Sequence, residues 1–183
     1  VRARLEAYLD LLREYGRVAD LSSARVLEHP DRQLRDALAY GEVLPTGAEV
    51  LDLGSGAGWP AIPLAIARPD LTLVLVERRQ KRAAFLSLAV AKLNLNNVRV
   101  HADDVRTLRL KVNHVTAQAV APFADVYRSV RHLVRLPLVL VSRKGEDWTQ
   151  EVEALAALVP AEVFHVKRLE GGGSLVAVRV GEG

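Results

Sequence analysis

There is no cysteine in this 183-residue chain, and no methionine. Without cysteine the protein can form no disulfide and can run no mechanism that needs a thiolate nucleophile, although the absence says nothing about compartment. Without methionine, the opening Val1 reads as an alternative start or a trimmed terminus. No apolar run reaches membrane-spanning length and the first residues lack a signal-peptide core, so a cytoplasmic protein is expected. The five histidines, at 29, 101, 114, 132 and 165, show no ligand spacing, and no carboxylate cluster stands apart from the acids discussed below; no metal site is expected. Lysine is scarce as well: of 25 basic residues 20 are arginine, which takes the pI to about 9.4 although the formal net charge is only +3. That balance suits phosphate-bearing partners, and it is equally what an arginine-rich genomic composition produces. At this length, with half the residues hydrophobic, one domain with a sizeable core is expected.

What is present is organised around residues 49–60. Glu49 opens an apolar run that reads as a buried parallel strand, and Gly54, Gly56 and Gly58 then let the backbone turn tightly beneath a ligand before a helix begins. A dinucleotide fingerprint would need glycine at position 59, where Trp59 stands, and no Lys-Ser or Lys-Thr follows as a P-loop requires. What remains is an acid-x-Gly-x-Gly-x-Gly pattern from Asp52 to Gly58. It resembles the first motif of the class I S-adenosylmethionine (SAM) methyltransferases; a glycine-rich turn in some other α/β domain is the alternative. The resemblance implies SAM as cofactor, held at Gly54, Ser55, Gly56, Ala57, Gly58 and Trp59.

Upstream, Leu5, Tyr8, Leu9, Leu12 and Tyr15 recur at helical spacing and predict an amphipathic helix over 1–15. A loop over 17–23 follows, with Ser22 or Ser23 capping a short helix, and Pro30 starts another that runs to about residue 40. Residues 1–45 are thus expected to be a helical extension packed beside the ligand cleft of a core at 46–183, within a single domain 1–183. Downstream, Pro60 opens a helix to 67, and a buried strand over 71–76 ends at Glu77, 19 residues after Gly58. A carboxylate there can accept hydrogen bonds from both hydroxyls of a ribose.

A helix over 78–95 then carries Arg78, Arg79, Lys81 and Arg82 in its first turn, an arrangement that opposes the helix dipole and hints at phosphate; an ordinary solvated face is the alternative. A strand over 98–101 leads to Asp103, Asp104 and Val105, the place where class I methyltransferases meet the adenine. Further strands are expected at 114–120 and 138–141, with helices at 122–136 and 148–158, and a hairpin of strands 162–169 and 174–180 turns at Gly171, Gly172 and Gly173. On the predicted helix 122–136, Arg128, Arg131 and Arg135 share one face. With Arg143, Lys144 and the 78–82 cluster they are candidates for an RNA-binding cleft rim.

The missing cysteine now also removes pyrimidine carbon-5 methylation, and Ala119 to Phe123 depart from the Asn/Asp-Pro-Pro-aromatic loop used on exocyclic amines. Guanine N7 needs no general base, since its lone pair can attack a methyl sulfonium directly, so positioning would be the whole mechanism. A closer resemblance rests on Leu51 to Ala65 with prolines at 60 and 63, on Lys81 to Leu86, on Thr116 to Pro122 and on Arg143-Lys144-Gly145. From about Tyr15 to the C-terminus the chain is similar to the glucose-inhibited division protein B (GidB/RsmG) family, the small-subunit rRNA guanine-N7 methyltransferases.

That resemblance implies a Rossmann-like, mostly parallel sheet of seven strands in the order 3-2-1-4-5-7-6, one of them antiparallel, with helices on both faces and an N-terminal helical cap. It implies SAM contacts at Gly54, Trp59, the Asp104-Val105 backbone and Gln118, with Lys144 near the RNA. The partner it implies is 16S rRNA or the small ribosomal subunit, bound by a monomer away from any membrane. Where the family pattern carries Asn, His and Arg, this chain has Asp20, Gln33 and Gln118. No residue is a certain catalyst; Lys144, Gln118 and Asp20 are the positioning candidates. Two alternatives stand beside the rRNA enzyme: a divergent member that binds SAM or ribosomal RNA with lost or altered catalysis, and a small-molecule methyltransferase.

Overall fold

Val50, Leu51 and Asp52 are almost wholly inaccessible, which places strand β1 (Glu49–Leu53) at the centre of a sheet. β2 (Thr72–Val76) pairs parallel on one side of it, Leu51 against Val74, and β4 (Val112–Ala117) on the other, Leu51 against Val115. β3 (Val98–His101) lies outside β2, and β5 (Val134–Lys144) outside β4. The hairpin of β6 (Ala161–Arg168) and β7 (Ser174–Val180) completes the sheet, β7 running antiparallel between β5 and β6. The order is 3-2-1-4-5-7-6, as the family resemblance implies, and the chain departs from β1 in both directions, so a crevice opens at the strands' carboxyl ends. The computed structural model describes residues 1–19, 24–118 and 121–181.

Alternation along β1 divides the core. Val50 faces one cluster with α1 (Arg2–Tyr15), α4 (Ala61–Ala67) and α5 (Gln80–Lys92), while Leu51 faces another with α6 (Phe123–Val130) and α7 (Trp148–Ala156). The N-terminal residues join the first cluster: α1 buries Leu5, Tyr8, Leu9 and Leu12, and α3 (Pro30–Ala39) buries Ala37 and Ala39. Between them lies the short α2 (Ala24–Glu28), preceded by the Ser22/Ser23 cap position, which falls outside the described residues.

Several boundaries differ from the sequence reading. The helix expected at 78–95 begins at Gln80, because Glu77 accepts the Arg79 backbone N–H and holds Arg79 extended. Arg78 and Arg79 therefore precede the helix, and the conflict with its dipole falls to Lys81 and Arg82. The helix expected at 122–136 ends at Val130 in a short 3-10 turn, Arg131–Leu133, and β5 starts at Val134 rather than 138. Pro137 disfavours helical backbone at Leu136, so Arg135 lies on a strand and does not share a helix face with Arg128 and Arg131. β4 occupies 112–117 instead of 114–120, which leaves Gln118 just past its end.

Candidate functional site

The glycine loop is tied down from three sides. Asp52, 1% exposed, accepts from Ser55 Oγ at 2.7 Å and from Thr116 Oγ1 at 2.6 Å, joining the loop to β4. Burial pushes the Asp52 carboxyl up to about 6, the two hydroxyl donors pulling the other way. On the β2 side, the N–H groups of Gly54 and Ser55 both donate to the Val76 carbonyl, at 2.9 and 3.1 Å. From α1, the Tyr8 hydroxyl donates to the Ala57 carbonyl at 2.7 Å, and its ring stacks on Trp59 with centroids 6.3 Å apart. Gly58 has φ +84°, and a Cβ there would meet Ile62 Cγ1 at 2.5 Å, so no other residue fits. Ser55, Gly58 and Trp59 consequently form the loop's buried underside, and Gly54 faces outward at φ +68°.

Outward of Gly54 lies a cavity of about 580 Å³, within the range of small-ligand sites. Its wall includes Leu53, Gly54, Val76, Glu77, Asp103, Asp104 and Val105, gathered from the carboxyl ends of β1, β2 and β3. Glu77 Oε1 accepts from the Gly56 N–H at 3.0 Å and Oε2 from the Arg79 N–H at 2.9 Å. The carboxylate is thus oriented by the backbone and keeps lone pairs for a diol. Asp103 Oδ1 caps the Asp104 N–H. Asp104 instead receives the Arg106 backbone N–H and two of its guanidinium nitrogens, which hold the Asp104 carboxyl down at about 2. These carboxylate acceptors fit the ribose hydroxyls and the adenine amine of SAM.

The remaining SAM candidates lie elsewhere. Gln118 Oε1 accepts from the buried Tyr40 hydroxyl at 2.8 Å. Beside them Gln33, 2% exposed, leaves Nε2 without a hydrogen-bond partner among the described residues. It converges with Asp36 and Arg143 on Gly171, where a Cβ would meet all three within 3.1 Å. Asp36 accepts the N–H groups of Glu170 and Gly171, while Arg143 donates twice to the Gly172 carbonyl. Lys144, 5% exposed, pairs with Glu151 at 2.8 Å, donates to the Ala121 carbonyl at 2.7 Å and lies over the Phe123 ring. Asp20 falls outside the described residues.

The cation candidates divide in the same way. Arg78, Arg79, Arg82 and Arg128 line the cavity, together with Arg106, Ser129 and His132, which the sequence did not single out. Ser129 and His132 follow Arg128 around the end of α6, and that proximity was the available signal. Lys81 lines a separate hollow with Tyr15 and Phe85, and Arg131 and Arg135 are exposed. Arg143 and Lys144 are buried and do not line the rim, a correction whose cause is their internal partners. No group of three or more His, Asp or Glu among the described residues is placed to hold a metal ion.

Comparison with known proteins gives concordant results. The family model described as rRNA small subunit methyltransferase G (GidB) matches residues 2–174. The ribosomal RNA small subunit methyltransferase G of Kineococcus radiotolerans is 38% identical over 98% of this chain and 75% of its own length. That of Halorhodospira halophila is 37% identical over 96% and 87%, and that of Acidothermus cellulolyticus 39% identical over 70% and 58%. Among solved structures, a SAM-dependent methyltransferase from Aquifex aeolicus superposes with a TM-score of 0.63 at 16% identity, covering 92% of this chain and 97% of that one. M. jannaschii TYW2 in complex with AdoMet does so with 0.58 at 18%, covering 81% and 74%.

Proposed function

The chain belongs to the rRNA small subunit methyltransferase G family, and on that premise we propose that it transfers the methyl group of SAM to a guanine N7 of small-subunit (16S) ribosomal RNA. The observation that carries the reading is the cavity at the carboxyl ends of β1, β2 and β3, walled by Gly54, Glu77, Asp103 and Asp104. SAM, when bound, supplies an electrophilic methyl group, which a ring nitrogen with a free lone pair accepts without a general base. Glu77 takes the ribose hydroxyls on a carboxylate already fixed by two N–H groups. Asp103 takes the adenine amine, since Asp104 is committed to Arg106, and Val105 packs beside it.

Lys144 acts indirectly, by holding Ala121 and Phe123 beside the end of β4. We treat the chain as one methyltransferase domain, residues 1–45 included, because Tyr8 reaches the loop itself. We take it to act as a monomer, as the family resemblance implies, and we place it in the cytoplasm with its rRNA. No helix among the described residues is long and apolar enough to cross a membrane.

The test is incubation with labelled SAM and hypomethylated small ribosomal subunits or their rRNA. The expected result is label in 7-methylguanosine and strand scission at one site after borohydride and aniline; label in any other nucleoside overturns the N7 assignment. A second reading, a divergent binder with lost or altered catalysis, is favoured by Gln33 Nε2, without a partner among the described residues, and by Gln118 turned to Tyr40. SAM binding without transfer to subunit or rRNA selects it.

A further inference from the structure

The cavity that fits SAM carries more cations than the cofactor uses. Arg78, Arg79, Arg82, Arg106 and Arg128 stand on its wall against three carboxylates, Glu77, Asp103 and Asp104. Arg106 pairs with Asp104 and Arg128 with the exposed Asp125 one turn away, so the five arginines face four carboxylates and the wall keeps a formal surplus of one positive charge. Next to the wall, the exposed Lys111 sets its ammonium on the carbonyl of His132, a lining residue. An excess of one sign along a concave wall produces a focused field, and the field acts on whatever charge enters.

The cofactor changes charge during the reaction. In the transfer, the N7 lone pair forms the new N–C bond, the C–S bond breaks with its electrons going to sulfur, and the positive charge moves from sulfonium to base. SAM therefore exceeds S-adenosylhomocysteine by one positive charge, while the two share the adenosine that Glu77 and Asp103 recognise.

We infer that the arginine rim makes cofactor charge and RNA occupancy interdependent: without RNA the pocket disfavours the sulfonium cofactor relative to the thioether product, and RNA phosphates laid along the rim remove that bias. This rests on the reading of the cavity as the SAM site. Linkage makes the effect reciprocal, so the SAM-loaded protein binds RNA more tightly than the product-loaded one by the same factor. Methyl transfer then weakens the hold on RNA, because the charge that the phosphates were balancing has left the cofactor. The rim serves both as an RNA surface and as a release device.

The experiment measures dissociation constants of SAM and S-adenosylhomocysteine by equilibrium dialysis on the full chain, with and without deproteinised small-subunit rRNA. In the free protein, the ratio of the two constants favours the product. Saturating rRNA should shift that ratio toward SAM by at least about threefold, within the ordinary range of coupling between sites. Raising the salt should shift it the same way without RNA, since screening weakens the rim's field. The double variant Arg79→Gln, Arg128→Gln should abolish most of the shift, and Arg79→Lys with Arg128→Lys should retain it, which separates charge from packing. A ratio that is indifferent to rRNA, to salt and to the Gln variants, while both ligands and rRNA still bind, overturns the inference and leaves the SAM site standing. Failure of either nucleoside to bind overturns the SAM site itself, and the inference with it.

Discussion

The two sides of the crevice use their polar residues in opposite ways. On the β1–β2–β3 side, Gly54, Glu77 and Asp103 face a cavity, and Glu77 is anchored from behind by backbone N–H groups. On the β4–β5 side, Gln118, Asp36, Arg143 and Lys144 turn inward, to Tyr40, to the β6–β7 turn, and to Glu151 and Ala121. Glu77 keeps lone pairs for a ligand in front of its backbone anchors, whereas the polar groups of the second side are spent on internal partners, backbone and side chain alike. Polar residues on the first side should therefore govern binding, and those on the second should govern stability.

The sharpest way to break that division is Lys144→Ala. If Lys144 is an internal tie, its loss removes two charge-assisted hydrogen bonds, to Glu151 and to the Ala121 carbonyl, and should cost about 3 kcal/mol; Glu151, a quarter exposed, keeps the Phe123 N–H. Urea unfolding measures it, and a cost near zero would return Lys144 to the RNA-facing candidates.

Asp52 joins the two sides through Ser55 and Thr116, and its effect is set by pH. Its folded-state pKa, raised to about 6, lies above the unfolded value near 4. Below about pH 4 the carboxyl is protonated in both states and carries no penalty; as pH rises through 6 the buried group must ionise. Stability should accordingly fall by as much as about 3 kcal/mol between pH 4 and 6, and Asp52→Asn should flatten that slope. Unfolding curves on both proteins across that window decide it, and parallel profiles would remove Asp52 as the source.

The smallest of the three effects belongs to the binding side. Glu77→Ala should weaken SAM by about 1.5–3 kcal/mol, as for a charge-assisted hydrogen bond, and should lower stability without unfolding the protein, since the Gly56 and Arg79 N–H groups lose their acceptor. Calorimetry with SAM checks the first part; unaltered affinity would take Glu77 out of the site.

The sequence made the β1–β2–β3 side legible because its signals are local. Asp52 to Gly58 and Glu77 lie on or directly after strands, and their spacing survives folding unchanged. The sheet order was available through the family resemblance, and the glycines at 171–173 marked the terminal hairpin. What was not legible depends on partners distant in sequence. Arg143 and Lys144 look like surface cations until Gly172 and Glu151 are brought to them, and nothing local to Trp59 announces that Tyr8 stacks on it. The arginines at 128, 131 and 135 imitate a helix face, but the backbone before Pro137 cannot continue the helix, so the pattern crosses an element boundary.

The Tyr8 to Ala57 hydrogen bond spans 49 residues of sequence, and this distance matters while the chain is being made. Synthesis proceeds from the N-terminus, so α1 is complete long before the loop that covers its apolar stripe exists. Leu5, Tyr8, Leu9 and Leu12 must wait, exposed, for roughly three more seconds at a common elongation rate of about 15 residues per second. During that interval the nascent chain carries an amphipathic helix whose aromatic partner, Trp59, has yet to be made.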